Sequence, residues 1–158
     1  MPAVPANSFF SFMMPDPSPS ILLVEDDQMD VMNVQRELRR QHIDAPLAQA
    51  RNGREALDLL RGENGQAKIA RPSVVMLDIN MPRMNGLELL EALRADPEFK
   101  DLNVFIMTTS DLESDRYKAQ QLAVSGYIIK PLSFETFGEG GTSIDGFSLF
   151  LDLIRLKG

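Results

Sequence analysis

The chain has no cysteine and no tryptophan, and a single histidine, His42. Without cysteine there is no disulfide, no thiolate metal site and no cysteine nucleophile. One histidine also excludes a multi-histidine metal centre or a catalytic histidine pair, and His42 reads as a surface or helix-end residue. Positive charge is scarce as well. Lys and Arg number 16 against 23 Asp and Glu, for a net charge of −7. With no basic stripe or Lys/Arg run, a nucleic-acid-binding surface is not expected. No apolar stretch approaches the ~20 residues a membrane-spanning helix needs, so no membrane contact is expected. Glycine-rich phosphate cradles are missing too. Neither G-x-x-x-x-G-K-[ST] nor G-x-G-x-x-G occurs, so any phosphate must arrive on a donor. The amino terminus lacks the basic region of a signal peptide, and the expected location is the cytoplasm.

What is present suits one domain with an ordinary core: 158 residues, of which 44% are hydrophobic and 25% charged. Residues 1–20 carry five prolines and read as an N-terminal extension. Its Phe9, Phe10, Phe12, Met13 and Met14 form an apolar patch suited to docking on the domain or on a second copy. Residues 21–158 read as the domain itself, and strand and helix signals alternate along it. Ile21–Glu25 is an apolar run expected as a buried strand. Asp27–Arg40 follows with Val31, Val34 and Leu38 at helical spacing and basic residues at its end. Ala45–Ala50 is a weaker strand, Gly53–Arg61 a second helix and Gly62–Pro72 a polar loop. Val74–Asp78 is the strongest strand. Asn85 is placed to cap a helix over Gly86–Ala95, which Asp96-Pro97 ends. Val104–Thr108 is a strand, Ser110 opens a capping-box helix to about Val124, and Gly126–Lys130 is a fifth strand. The last segment is expected to be helical with a distortion near Gly138, Gly140 and Gly141.

Five strands separated by helices predict an α/β doubly wound parallel sheet of the flavodoxin-like (βα)5 kind, with ligands at the carboxyl ends of the strands. Glu25, Asp26, Asp78, Thr108 and Lys130 all fall at those ends, and each strand is expected to deliver a polar or charged group to one edge. Clustered carboxylates repel one another and resist desolvation, so three of them at a sheet edge call for a cation. Oxygen donors of this kind suit a hard ion such as Mg²⁺. Lys130 is a point charge suited to a phosphoryl oxygen, and Thr108 is a hydroxyl donor to another. Asp78, the central carboxylate, has the chemistry of a nucleophile that forms an aspartyl phosphate.

Four segments carry a resemblance. Leu22-Leu23-Val24-Glu25-Asp26, Leu77-Asp78-Ile79-Asn80-Met81-Pro82-Arg83-Met84-Asn85-Gly86, Met107-Thr108-Thr109-Ser110 and Gly126-Tyr127-Ile128-Ile129-Lys130-Pro131 occur in that order. Thr108 lies 30 positions after Asp78, and Lys130 lies 22 after Thr108. The chain resembles a response-regulator receiver domain of two-component signalling, over about residue 21 to the C-terminus.

The resemblance implies that Asp78 accepts a phosphoryl group from a histidine kinase or phosphotransfer protein. It implies that Glu25, Asp26, Asp78 and the backbone carbonyl of Asn80 serve Mg²⁺, with Glu25 acting mainly through bound water. Thr108 and Lys130 would hold the phosphoryl group, Thr108 and Tyr127 would form a switch pair, and the bond before Pro131 would be cis. The output would be a contact with a downstream protein target, with a homodimer among the expected assemblies. The implied protein is a single-domain phosphoacceptor able to dephosphorylate itself rather than an enzyme, since the 28 residues after Lys130 suffice only for a last helix. Departures from the family pattern are Glu25 in the acidic pair, Thr109 after the switch threonine, and the glycine run of 138–141. Asn80 and Ser110 occupy positions that tune dephosphorylation. A binding module that never takes phosphate is the alternative, and a small aspartate-nucleophile phosphatase a weaker one, because Asn80 stands where that chemistry requires a second aspartate.

Overall fold

A computed structural model describes residues 20–79, 84–108 and 118–129. Its elements are β1 (Ile21–Val24), α1 (Gln28–Arg40), β2 (Leu47–Ala50), α2 (Gly53–Arg61), β3 (Val74–Asp78), α3 (Gly86–Ala95), β4 (Val104–Thr108) and β5 (Gly126–Ile129). Residues 118–121 are also helical. The strands form one parallel sheet in the order β2-β1-β3-β4-β5. The flavodoxin-like expectation holds.

Strands covered on both faces read as unbroken apolar runs, and that explains their sequences. On one face Leu22, Val24, Val75, Leu77, Val104 and Ile106 pack against Ala56, Leu57 and Leu60 of α2 and Leu89, Leu90 and Leu93 of α3. On the other, Ile21, Leu23, Val74, Met76, Phe105, Met107 and Ile128 pack against Val31, Val34 and Leu38 of α1. α1, α2 and α3 each open on a side chain that accepts a backbone N–H otherwise left without a partner. Asp27 accepts from Met29 and Asn52 from Glu55, while Asn85 and Glu88 form a reciprocal capping box.

Several expected boundaries shift for local reasons. β1 ends at Val24, one residue before Glu25, because the chain leaves the ladder to form the acidic turn. Asp27 is the cap of α1 rather than its first residue. β2 starts at Leu47, two residues after the expected Ala45; as an edge strand it is only half covered, so its pattern is weak. At the amino end of the sheet, Ser20 already belongs to the packing, since its carbonyl accepts from the Ser73 N–H at 2.8 Å. The helix expected to reach Val124 ends at residue 121. There the Leu122 and Ala123 N–H groups turn to carbonyls only three residues back, and Ala123 adopts φ 57°.

Two polar devices tie the end of the sheet away from the carboxylates. Arg94, in the last turn of α3, donates to the carbonyls of Leu122 (2.7 Å), Leu102 (2.8 Å), Lys100 (2.9 Å) and Ala123 (3.1 Å). Asp58 accepts from Arg54 and Asn64, closing the end of α2 beside Gly62, which takes the left-handed conformation that favours glycine.

Candidate functional site

The strand order reverses direction between β1 and β3, and a doubly wound sheet leaves its ligand crevice at such a point. The register sets which residues meet there. Val24 pairs with Leu77, so Glu25, next along from Val24, stands level with Asp78. Asp78 in turn pairs with Met107, one residue before the end of β4 at Thr108. Glu25 is fully buried and Asp78 nearly so, at 6% exposure, whereas Asp26 faces solvent. One carboxylate oxygen from each of Glu25, Asp26 and Asp78 lies within 4.8 Å of the others. This is the grouping predicted from the sequence.

The acidic turn is held tightly. The Glu25 N–H donates to the Ala50 carbonyl at 2.9 Å, and the Glu25 carbonyl accepts from Gln49 Nε2 at 3.2 Å. Glu25 Oε2 accepts the Asp26 N–H at 3.1 Å, which binds the buried carboxylate to its own turn and leaves the Asp26 side chain facing outward. The other acidic segment is equally confined. The Gly86 N–H donates to the Ile79 carbonyl at 3.1 Å. A side chain at position 86 would strike the Asp78 carbonyl and lie 2.8 Å from the Ile79 Cα. Glycine is needed there for close backbone approach, not for an unusual φ.

Three carboxylates within one ligand sphere fit a hard divalent cation, which takes oxygen donors and offsets the repulsion of gathering them in a partly buried crevice. Among the predicted site residues, Glu25, Asp26 and Asp78 converge. Thr108 ends β4, and Tyr127 lies in β5 with its backbone paired to Ile106. Asn80, Pro82, Thr109, Ser110, Lys130, Pro131, the 138–141 glycines and the 1–19 segment lie outside the described residues. The expectation that each strand delivers a polar group to the edge fails for β2. Its last residue is Ala50, and its contribution is indirect, through Gln49. Gln49 and Asn52 were not singled out by the sequence. Asn52 was findable, because Asn52 and Glu55 have the spacing of a helix-opening pair. Gln49 gives no local signal.

The family model for the response regulator receiver domain matches residues 21–139. The response regulator Rcp1 of Synechocystis sp. is 31% identical over 134 residues, covering 85% of this chain and 91% of its own length. A solved Mn²⁺-bound form of Rcp1 superposes with a TM-score of 0.70, covering 83% of this chain and 94% of that one at 31% identity. A two-component response regulator from Legionella pneumophila gives a TM-score of 0.71 at 34% identity over 86% of this chain and 98% of the other. The bacteriophytochrome response regulator AtBRR gives 0.70 at 29% identity, over 85% and 95%. Among the described residues, no helix is long and apolar enough to cross a membrane.

Proposed function

The chain belongs to the response regulator receiver domain family, whose members are phosphoacceptors in signalling rather than enzymes of metabolism, and we propose that Asp78 is its phosphoacceptor. The observation that carries this reading is the position of Asp78. It ends the central strand at the switch point, almost buried, with the carboxylates of Glu25 and Asp26 beside it. In the step proposed, an Asp78 carboxylate oxygen attacks the phosphorus of a phosphohistidine. The O–P bond forms as the N–P bond breaks, and the imidazole nitrogen leaves with the electron pair.

Receiver domains bind a divalent metal at an acidic pocket, and the solved Rcp1 neighbour carries Mn²⁺. In this chain the ion would be Mg²⁺, held by Asp26, Asp78 and the Asn80 carbonyl, with Glu25 behind them. When bound it would neutralise the oxygen charge that builds on the transferring group. Thr108 and Lys130 hold that group, and Thr108 with Tyr127 converts its presence into a change of surface. Residues 21–158 are read as the domain, with Ser20 joined to its edge, and the residues before Ser20 as an N-terminal extension.

Receiver domains work with histidine kinases or phosphotransfer proteins and with downstream targets. Met29 and Met32, exposed at 66% and 51% one turn apart on α1, stand just beyond the acidic turn. They offer the phosphodonor an apolar, adaptable contact. A phytochrome-type histidine kinase is the donor class to try first, given AtBRR among the neighbours. Serines at both methionines should slow phosphorylation by such a kinase and leave the reaction with acetyl phosphate unchanged.

The primary test is intact mass after incubation with acetyl phosphate and Mg²⁺. One phosphate adduct is expected, lost in Asp78→Asn and when Mg²⁺ is chelated. No adduct together with no binding of beryllofluoride would overturn the reading in favour of a module that never takes phosphate.

A further inference from the structure

β2 sends no charged group to the carboxyl edge, yet residues 49–53 touch both segments that carry the clustered carboxylates. Gln49, the penultimate residue of β2, lies beside Leu23 in the β1–β2 register. From there its side chain crosses to the next turn, where Nε2 donates to the Glu25 carbonyl at 3.2 Å. Ala50 accepts the Glu25 N–H at 2.9 Å. Both peptide groups of the buried glutamate are thus gripped from one strand. The other end of the same amide, Oε1, lies 3.5 Å from Nε2 of Gln28, the first residue of α1. Two residues past Ala50, Asn52 caps α2 through the Glu55 N–H. The Gly53 N–H then donates to the Met84 carbonyl at 3.0 Å, on the segment that joins Asp78 to α3. The approach is so close that a Cβ on Gly53 would lie 2.7 Å from Met84 Cγ and 2.8 Å from the Met84 carbonyl.

We propose that residues 49–53 are a positioning brace for the phosphoacceptor site, in which Gln49 sets the acidic turn for metal and Gly53 sets the segment after Asp78. The inference rests on the reading of Asp78, Glu25 and Asp26 as a metal-dependent phosphoacceptor site. Its physical basis is the geometry of the edge. β2 stops at Ala50, so beside Glu25 the ladder is continued by a side chain instead of a backbone N–H. An uncharged amide suits the task. It fixes the carbonyl without adding a cation that would compete with the metal or an anion that would add to three carboxylates. Rotation of this one peptide would move Glu25 and Asp26 together, so the neutral hydrogen bond from Gln49 acts on two of the three carboxylates at once.

The test is a Mn²⁺ titration of the full chain, followed by electron paramagnetic resonance, with thermal unfolding in chelator alongside. Gln49→Leu keeps the side chain's bulk and removes the donor. It is expected to weaken Mn²⁺ binding on the order of tenfold, the loss typical when a ligand's supporting hydrogen bond is removed. Its thermal midpoint should stay near the parent's, and its phosphorylation by acetyl phosphate should recover at saturating metal. Gln28→Ala, which leaves the grip on Glu25 intact, should bind like the parent. Gly53→Ala should instead slow phosphorylation even at saturating metal. An unchanged Mn²⁺ affinity in Gln49→Leu, with or without a lower midpoint, overturns the brace. A parent chain that binds no Mn²⁺, or binds it equally well after Asp26→Asn and Asp78→Asn, overturns the site reading itself.

Discussion

Replacing Asp78 with asparagine should remove the proposed phosphoacceptor and make the protein in chelator more stable. One oxygen from each of Glu25, Asp26 and Asp78 lies within 4.8 Å of the others. At that separation two unit charges repel by about 3.5 kcal/mol at an effective dielectric of about 20, and by just under about 1 kcal/mol in bulk water. The larger figure applies to Glu25 and Asp78, which are both buried, and the smaller to pairs with the exposed Asp26. Asparagine keeps one acceptor oxygen and nearly the same volume, so packing changes little. Against the relief stands the Lys130 charge, which the proposed site sets at the same edge and which would lose a partner. The expected balance is a gain of about 1–2 kcal/mol, or roughly 2–8 °C in thermal midpoint for a chain of this size.

The assay is thermal unfolding of parent and Asp78→Asn, first in chelator and then across a Mg²⁺ series. A bound ion stabilises the folded state by mass action, by about 2.7 kcal/mol at a hundredfold excess over its dissociation constant. The parent midpoint should therefore climb with Mg²⁺ while that of the variant climbs less, closing or inverting the gap seen in chelator. A variant less stable than the parent in chelator would refute the claim that repulsion dominates this cluster. Equal Mg²⁺ responses in the two proteins would refute Asp78 as a metal ligand.

Three further outcomes follow from the geometry. Gly86→Ala should destabilise by about 1–3 kcal/mol, because its Cβ meets the backbone of Asp78 and Ile79, which has no flexible end to yield; denaturant unfolding checks this, and a stabilised variant would contradict it. Arg94→Met should cost about 2–4 kcal/mol, and Arg94→Lys most of that, since an ammonium cannot span the four carbonyls that the guanidinium reaches; urea titration would show it. At Asp96, the Glu98 N–H holds the carboxyl below its ordinary range; desolvation opposes it, and the hydrogen bond and charge of Arg61 add to the lowering. A depressed folded value means stability fully present above the unfolded carboxylate value of about 4 and lost as pH falls from there through the lower folded value, so the gap between parent and Asp96→Asn should begin to narrow below about pH 5 and keep narrowing as the pH is lowered further. A gap constant over that range would refute it.

The legible parts of this chain are those in which one local pattern answers to one local environment. β1, β3 and β4 are covered on both faces, so their apolar runs announce buried strands, and the ends of β1 and β3 carry the carboxylates. β2 has one neighbour and a half-covered sequence, Leu47-Ala48-Gln49-Ala50, which states neither its start nor its purpose. Asp27, Asn52 and Asn85 precede their helices by one residue and act within three, so cap chemistry is visible in the sequence. Arg94 reads only as a basic residue in a last turn. Its acceptors lie between 6 and 29 residues away, and topology alone brings them to it.

The same division separates the two kinds of residue around Asp78. A carboxylate at a strand end is conspicuous because its charge has a cost that nothing nearby in the sequence offsets, and the convergence of three such costs pointed to a cation. Gln49 carries no charge, sits on the least regular strand and acts on a carbonyl 24 residues earlier. Yet without such supports the carboxylates have every reason to move apart. Repulsion of about 1–3.5 kcal/mol per pair is comparable to the net worth of several neutral hydrogen bonds, so the turn bearing Glu25 and Asp26 must be held by contacts that cation binding need not supply. The Ala50 carbonyl, the Gln49 amide and the Asp26 N–H on Glu25 are such contacts, and the protein supplies all of them itself. The neutral frame around the three carboxylates offsets part of their repulsion and keeps them gathered at the sheet edge.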